Sequence, residues 1–396
     1  MKLNTHYQHL SDNYLFAKVA EKVADFTKAN PSQPLYHLGI GDVTLPLVPV
    51  VVDALQKATA EMADKATFRG YGTYQGYPFL REAISSYYKN HKQVELHPDE
   101  VFISSGSKGD CTGILELFSP DNTVLIPNPT YPVYVDANIM DGRKIIFATA
   151  NQANDFLPLP NPDVSADIIY ICSPNNPTGA VYNRTQLKAW VDYAKAQGAI
   201  LLYDGAYEAF ISDDLPSSIF EIEGARDCAI EFMTFSKLAG FTGVRCSFIT
   251  IPKGLTAHGQ SLHALWLRRQ TTRGNSVSYI VQRGAEAALS PTGLQQLQTN
   301  LAYYKHNTQI IGETLDRLGI YYTGGKNAPY VWLACPGGMS SWEFFDFLLH
   351  RTGIIGTPGA GFGTEGEGYF RLSAFGDQTA TRTAMTLFES EVKHLC

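Results

Sequence analysis

The chain has 396 residues, 44% of them hydrophobic and 17% charged, with a formal net charge of −7; this is the composition of a soluble globular protein of two or three domains, or of one large domain with a smaller one attached. The densest basic stretch, Arg268 and Arg269 followed by Arg273, is short, so no nucleic-acid partner is expected. No run of about 18 apolar residues occurs, so no membrane span is expected.

The opening, Met1 to Ser11, is polar and has no apolar signal-peptide core. The six cysteines are scattered and form no Cys-x-x-Cys pair, which argues against zinc and against a disulfide framework. A reducing cytoplasm is the expected location. The first 35 residues read as an arm followed by a helix. Beyond them, short apolar runs alternate with helical patterns. Strands are predicted at Val101–Ser105, Thr123–Pro127, Lys144–Ala148, Asp167–Cys172, Ala199–Tyr203 and Cys246–Ile251, with a further apolar run at Ala229–Phe232. Thr185–Gln197 has helical spacing, a Thr cap and a closing Gly198. Such alternation predicts an α/β fold, a mostly parallel sheet with helices on both faces, three layers in all. From Gln295 the pattern changes. A helix over Gln295–Leu318, a strand at Tyr330–Ala334, a helix over Ser341–Thr352 and a Gly-rich loop predict a small α+β domain. The expected division is 1–35 as an N-terminal arm and helix joining the small domain, 36–294 as the large α/β domain, and 295–396 as the small C-terminal domain.

Ligands of parallel sheets bind beyond the carboxyl ends of the strands. There, one predicted strand leads into Ser173-Pro174-Asn175-Asn176-Pro177-Thr178-Gly179, and the next ends at Asp204 with Tyr207 just after it. The run Ala229–Phe232 leads through Thr234-Phe235-Ser236-Lys237 to Gly240-Phe241-Thr242-Gly243-Val244-Arg245. This set of groups can bind a phosphorylated aromatic cation. A carboxylate at Asp204 keeps a ring nitrogen protonated. Asn176 and Tyr207 offer neutral donors to a ring oxygen. Arg245 offers a fork to a phosphate, Thr234 and Ser236 offer hydroxyls, and Ser105-Gly106-Ser107-Lys108-Gly109 offers a turn whose N–H groups head a helix. Among such cations, an amine at Lys237 has a lowered pKa. Singly, each feature has an ordinary reading: a helix cap at Asp204, a β-turn at Asn-Pro-Thr-Gly, a flexible loop at Ser-Gly-Ser-Lys-Gly. Their conjunction, in this order and after successive strands, points to a site.

In that order the residues resemble the class I/II aminotransferases of the aspartate aminotransferase fold (fold type I). The resemblance implies pyridoxal 5'-phosphate as cofactor, with Lys237 as its Schiff-base lysine. It implies Asn176, Asp204 and Tyr207 around the ring, Arg245 at the phosphate, and Tyr131, within Asn128-Pro129-Thr130-Tyr131-Pro132, as the stacking aromatic. Arg371, within Tyr369-Phe370-Arg371-Leu372-Ser373, matches the family's clamp for the substrate carboxylate.

A closer similarity is to the LL-diaminopimelate aminotransferases. It is carried by Gly70-Tyr71-Gly72-Thr73-Tyr74-Gln75-Gly76-Tyr77-Pro78, by Phe235-Ser236-Lys237-Leu238-Ala239-Gly240-Phe241, by Ile40-Gly41-Asp42-Val43-Thr44-Leu45-Pro46, and by Asn13-Tyr14-Leu15-Phe16. It implies conversion of LL-2,6-diaminopimelate and 2-oxoglutarate to tetrahydrodipicolinate and glutamate, for lysine and peptidoglycan synthesis. An aspartate, aromatic or alanine aminotransferase of the same fold is the alternative. The similarity adds Tyr71, Ser107, Lys108 and Asn275 to the cofactor side. On the substrate side it implies Tyr14, Gly41, Lys108, Tyr131, Asn176 and Asn275 beside Arg371. It also implies a homodimer in which Tyr71 and Asn275 reach the neighbouring subunit's site. One departure is Glu231-Phe232-Met233-Thr234, where the family has Arg and Ser. Gly359-Ala360-Gly361-Phe362-Gly363 lacks dinucleotide spacing and precedes a strand, so it reads as a loop on the substrate side. No His-Glu-x-x-His occurs, and no metal is expected.

Overall fold

A computed structural model describes residues 1–10, 15–39 and 41–395. Seven strands form its central sheet: β1 Val101–Ser104, β2 Thr123–Asn128, β3 Lys144–Thr149, β4 Ile168–Cys172, β5 Ile200–Asp204, β6 Ala229–Thr234 and β7 Ser247–Thr250. Their spatial order is β1-β7-β6-β5-β4-β2-β3. Strands β2 to β6 pair in parallel. Strand β7 runs antiparallel to both β6 and β1.

The middle strands are apolar along nearly their whole length because helices cover both faces. Alternate residues divide between two cores. Leu201 and Tyr203 of β5 pack with Tyr182 and Trp190 on one face, while Ile200 and Leu202 pack with Phe102, Tyr134 and Trp266 on the other. The predicted strands agree with those formed, apart from shifts at their ends.

Two helix starts differ from expectation, and capping explains both. The helix predicted from Thr185 begins at Arg184, because Asn183 is its cap: the Asn183 side chain accepts from Gln186 N–H, and the Gln186 side chain accepts from Asn183 N–H. The helix predicted from Gln295 begins earlier, at Pro291, capped by Ser290 with proline in its first turn.

A second, antiparallel sheet holds β8 Tyr322–Gly324, β9 Tyr330–Ala334, β10 Thr357–Pro358 and β11 Tyr369–Ser373, in the order β8-β9-β11-β10. Both ends of the described chain build its core. The helix Leu15–Ala29 contributes Phe26, and Tyr36–His37 pair in parallel with Ile354–Ile355. The helix Pro291–Leu318 ties the two sheets together. Leu297 packs in the central core, Leu301 and Tyr304 lie at the junction, and Ile311 and Leu315 join the second core.

Phe344 is fully buried in that second core, edge-on to Phe370 at 5.1 Å and to Phe388 at 6.1 Å. Phe344→Ala is expected to cost about 3–5 kcal/mol, because the rings around it cannot close the void. A urea titration followed by tryptophan fluorescence measures the loss; an unchanged midpoint would contradict this packing.

Candidate active site

Because β7 is reversed, its amino end lies beside the carboxyl ends of β4, β5 and β6. Four distant residues therefore meet: Asn176 after β4, Asp204 at the end of β5, Thr234 at the end of β6 and Arg245 just before β7. They line one cavity of about 410 Å3, which Tyr330 of β9 and Arg371 of β11 close from the second sheet.

Asp204 lies buried at the cavity floor. Tyr134 Oη donates to its Oδ2 at 2.5 Å, Ala206 N–H donates to Oδ1 at 3.0 Å, and the Cys111 thiol approaches Oδ2 at 3.8 Å. Desolvation nevertheless outweighs these donors and pushes the Asp204 carboxyl above the usual carboxylate range. Such a group is stabilised by an incoming cation.

Lys237 lies in the short helix Phe235–Leu238 that β6 runs into, capped by the Thr234 hydroxyl accepting from Ser236 N–H. Its Nζ donates to Gly41 O and lies 5.1 Å from the centre of the Phe375 ring. Burial lowers its pKa to about 8; Arg371 and Arg245 push the same way, and Asp42 opposes them. A lysine in this range is a usable nucleophile and base near neutrality.

Arg371 is 1% exposed. Its Nη1 donates to Asn176 Oδ1 at 2.6 Å and its Nη2 to Gly39 O at 3.0 Å. The guanidinium carbon lies 4.3 Å from the centre of the Tyr330 ring and 4.9 Å from that of Phe362. Phe362 belongs to the Gly-rich loop, which thus packs against the Arg371 guanidinium. The Tyr207 and Tyr330 hydroxyls are 3.0 Å apart.

At the other end, Arg245 has a left-handed backbone (φ 70°). Its guanidinium lies against Gly106 so closely that a Cβ there would come within 1.8 Å of Nη2. Gly106, at φ 137°, precedes the helix Ser107–Gly113, whose Ser107 and Lys108 line the cavity with Ser236. Backbone N–H groups of a first helical turn lack intrahelical acceptors. With Arg245 and Lys108 beside them, they make this end suited to an anion.

The cavity thus brings together Gly41, Ser107, Lys108, Tyr131, Asn176, Asp204, Tyr207, Thr234, Ser236, Lys237, Arg245 and Arg371. Two of the expected residues stand apart: Tyr71 is 94% exposed, and Asn275 lies exposed in the loop after the helix Leu262–Arg273. Tyr14 lies outside the described residues. The unusual Glu231 points away from the cavity, buried against Tyr88 Oη, Ser218 Oγ and Ile219 N–H. Sequence reasoning passed over Tyr134, Tyr330, Cys111 and Asp42. Tyr134 had a signal, since it follows Tyr131 by three residues at the start of a helix and shares its face. Tyr330 had none, because its contacts come from another sheet.

The model of the aminotransferase class I and II family matches residues 33–387. The LL-diaminopimelate aminotransferase of Prochlorococcus marinus (strain MIT 9211) is 48% identical across 97% of this chain and 98% of its own. The one from Parabacteroides distasonis is 48% identical across 97% of each. The solved L,L-diaminopimelate aminotransferase from Chlamydomonas reinhardtii superposes with a TM-score of 0.93 at 40% identity, over 99% of both chains.

The low pKa of Lys237 can be measured on protein stripped of small molecules. Labelling of Lys237 by an amine-selective reagent should rise through a midpoint near pH 8, well below that of surface lysines. Arg371→Leu should move the midpoint up and Asp42→Asn should move it down. A midpoint near 10.5 in the parent protein would contradict the assignment.

Proposed function

Since the chain belongs to the class I and II aminotransferase family, we propose that it is a pyridoxal 5'-phosphate-dependent transaminase acting on LL-2,6-diaminopimelate and 2-oxoglutarate, with tetrahydrodipicolinate and glutamate as products. One observation carries the chemistry: a low-pKa lysine, a buried carboxylate and an arginine fork share one cavity with an anion cradle at its far end. The substrate rests on relatives of that name at 48% identity across nearly the whole chain.

The residues fit the cofactor. When bound, pyridoxal phosphate supplies a protonated ring that delocalises the charge left by a departing α-proton. Asp204 holds the ring nitrogen protonated, and in pairing with that cation it recovers the solvation lost on burial. Asn176 and Tyr207 would donate to the ring oxygen, and Tyr131 would offer the ring an aromatic partner. Arg245, Ser236, Ser107 and the N–H groups at the head of the helix Ser107–Gly113 hold the phosphate. Arg371 takes the α-carboxylate on its fork; Asn176 and Gly39 already fix the guanidinium plane, so little orientation remains to be lost on binding. Lys237 would act as the base for the α-proton and as the acid that gives it back. Its pKa, lowered to about 8 in the empty cavity, brings the neutral amine within reach near neutrality.

The distal half of diaminopimelate carries a second ammonium and a second carboxylate. Asp42 and Lys108 are exposed residues of the cavity lining and carry charges of the matching signs. Gly41, and Tyr14 beyond the described residues, belong to the same side of the reading.

The assembly in this reading is a homodimer. Phe68, Tyr71 and Tyr74 are 59%, 94% and 47% exposed on one segment, an aromatic patch of the kind that association buries. A second copy covering it would carry Tyr71 and Asn275 toward the neighbouring cavity. A cytoplasmic location goes with a biosynthetic role; among the described residues no helix is long and apolar enough to cross a membrane.

Purified protein should absorb in the visible, and borohydride should fix the chromophore on the Lys237 peptide. LL-diaminopimelate with 2-oxoglutarate should yield glutamate and a cyclised product. Brisk turnover of aspartate or tyrosine without that reaction would move the assignment to the alternative named from the sequence. Asp42→Asn is expected to raise KM for diaminopimelate up to about fivefold, the scale of an exposed ion pair. It should leave the KM for glutamate, which has no second ammonium, nearly unchanged. Equal changes for both substrates would remove Asp42 from distal recognition.

A further inference from the structure

Behind the anion end of the cavity lies a buried acid that the chemistry above does not use. Asp110, in the helix Ser107–Gly113, is 3% exposed. Its Oδ2 accepts from Ser104 Oγ at 2.5 Å and from Ser247 Oγ at 2.9 Å. The two hydroxyl oxygens are themselves 2.6 Å apart, because Ser104 and Ser247 are register partners across β1 and β7. Ser247 Oγ also accepts the N–H of Gly106 at 2.8 Å. Gly106 is the residue on which the Arg245 guanidinium rests, with no room for a Cβ between them.

These contacts form a single chain of support. Asp110 orients the Ser247 hydroxyl by accepting its hydrogen bond. The lone pair left on Ser247 then faces the Gly106 N–H and fixes the left-handed turn. That turn sets both the direction of the helix's first N–H groups and the surface under Arg245. We propose that Asp110 is a positioning residue for the phosphate cradle, acting through Ser247 and Gly106 on Arg245, without touching the phosphate itself. The proposal rests on the cofactor reading above and deepens it.

The charge of Asp110 does not conflict with this role. Burial raises its pKa to about 6, with Asp204 pushing the same way and Ser104, Ser247 and Arg269 opposing. An arriving phosphate dianion pushes it further up. Three oxygens in mutual contact also accommodate a third proton, since the two serines supply only two.

The test compares ligands with and without a phosphate. Apoprotein is titrated with pyridoxal phosphate, with pyridoxal and with inorganic phosphate, for the parent chain and for Asp110→Ala, Asp110→Asn and Ser247→Ala. Asp110→Ala and Ser247→Ala are expected to weaken pyridoxal phosphate and inorganic phosphate at least tenfold, while pyridoxal capture by Lys237 stays within about twofold. Asp110→Asn, which keeps the volume and one acceptor, should fall between parent and alanine. If Asp110→Ala does not fold, Asp110→Asn and Ser247→Ala carry the same comparison. A thermal midpoint lowered without any phosphate-selective loss would reduce Asp110 to a core contact and overturn the proposal, as would equal weakening of pyridoxal and pyridoxal phosphate. A parent chain that takes up inorganic phosphate but no pyridoxal phosphate would instead sink the cofactor reading, and the inorganic-phosphate arm would still judge Asp110.

Discussion

A carboxylate buried without a cation is among the most costly things a fold can contain, and Asp204 imposes that cost on this one. Its neighbours reduce the cost without removing it. Tyr134, Ala206 N–H and Cys111 all approach the carboxylate, yet its pKa remains raised by burial. A pocket that leaves such a group wanting a positive partner selects for a cation. The location follows from topology. Asp204 ends the middle strand of the central sheet, where side chains are driest and helices cover both faces.

The reversal of β7 has comparable weight. Were β7 parallel, Arg245 would sit at the opposite edge of the sheet from Asp204. Running antiparallel to both neighbours, it brings Arg245 and Ser247 to the ligand edge. Arg371 makes the corresponding link from the second sheet. By holding Asn176 and the Gly39 carbonyl, it joins the turn after β4, the N-terminal segment and β11 in one set of hydrogen bonds. The cavity is thus a junction, and its shape depends on how the helix Pro291–Leu318 sets one core against the other.

Much of this was legible in the sequence. Strands of continuous apolar character and short length read clearly, because a doubly covered sheet leaves no polar face to blur them. Asn176, Asp204, Lys237 and Arg245 stood out because each follows or precedes such a run and carries a group with a definite chemical use. Helix starts read less well. Thr185 and Asn183 are both capping residues, and only the reciprocal bond to Gln186 decides between them. Tyr330 and Asp110 were illegible for a different reason. Tyr330 looks like any apolar strand residue, and its hydroxyl matters only through Tyr207, far away in the chain. Asp110 acquires its surroundings from a register pairing between β1 and β7 that no local pattern specifies.

The charges of the cavity also couple binding to proton transfer. Burial depresses the Lys237 pKa, and Arg371 and Arg245, which suit the cavity to anionic groups, push the same way. Each anion that docks neutralises part of that field, so the Lys237 pKa moves upward as the site fills. Lys237 is therefore least protonated while both anion positions are empty. It becomes more basic once both are filled, which suits the proposed role of taking a proton from carbon. Asp42 opposes the two arginines and keeps the depression moderate. In the proposed reading the ligands themselves thus supply the change in charge that sets the basicity of Lys237.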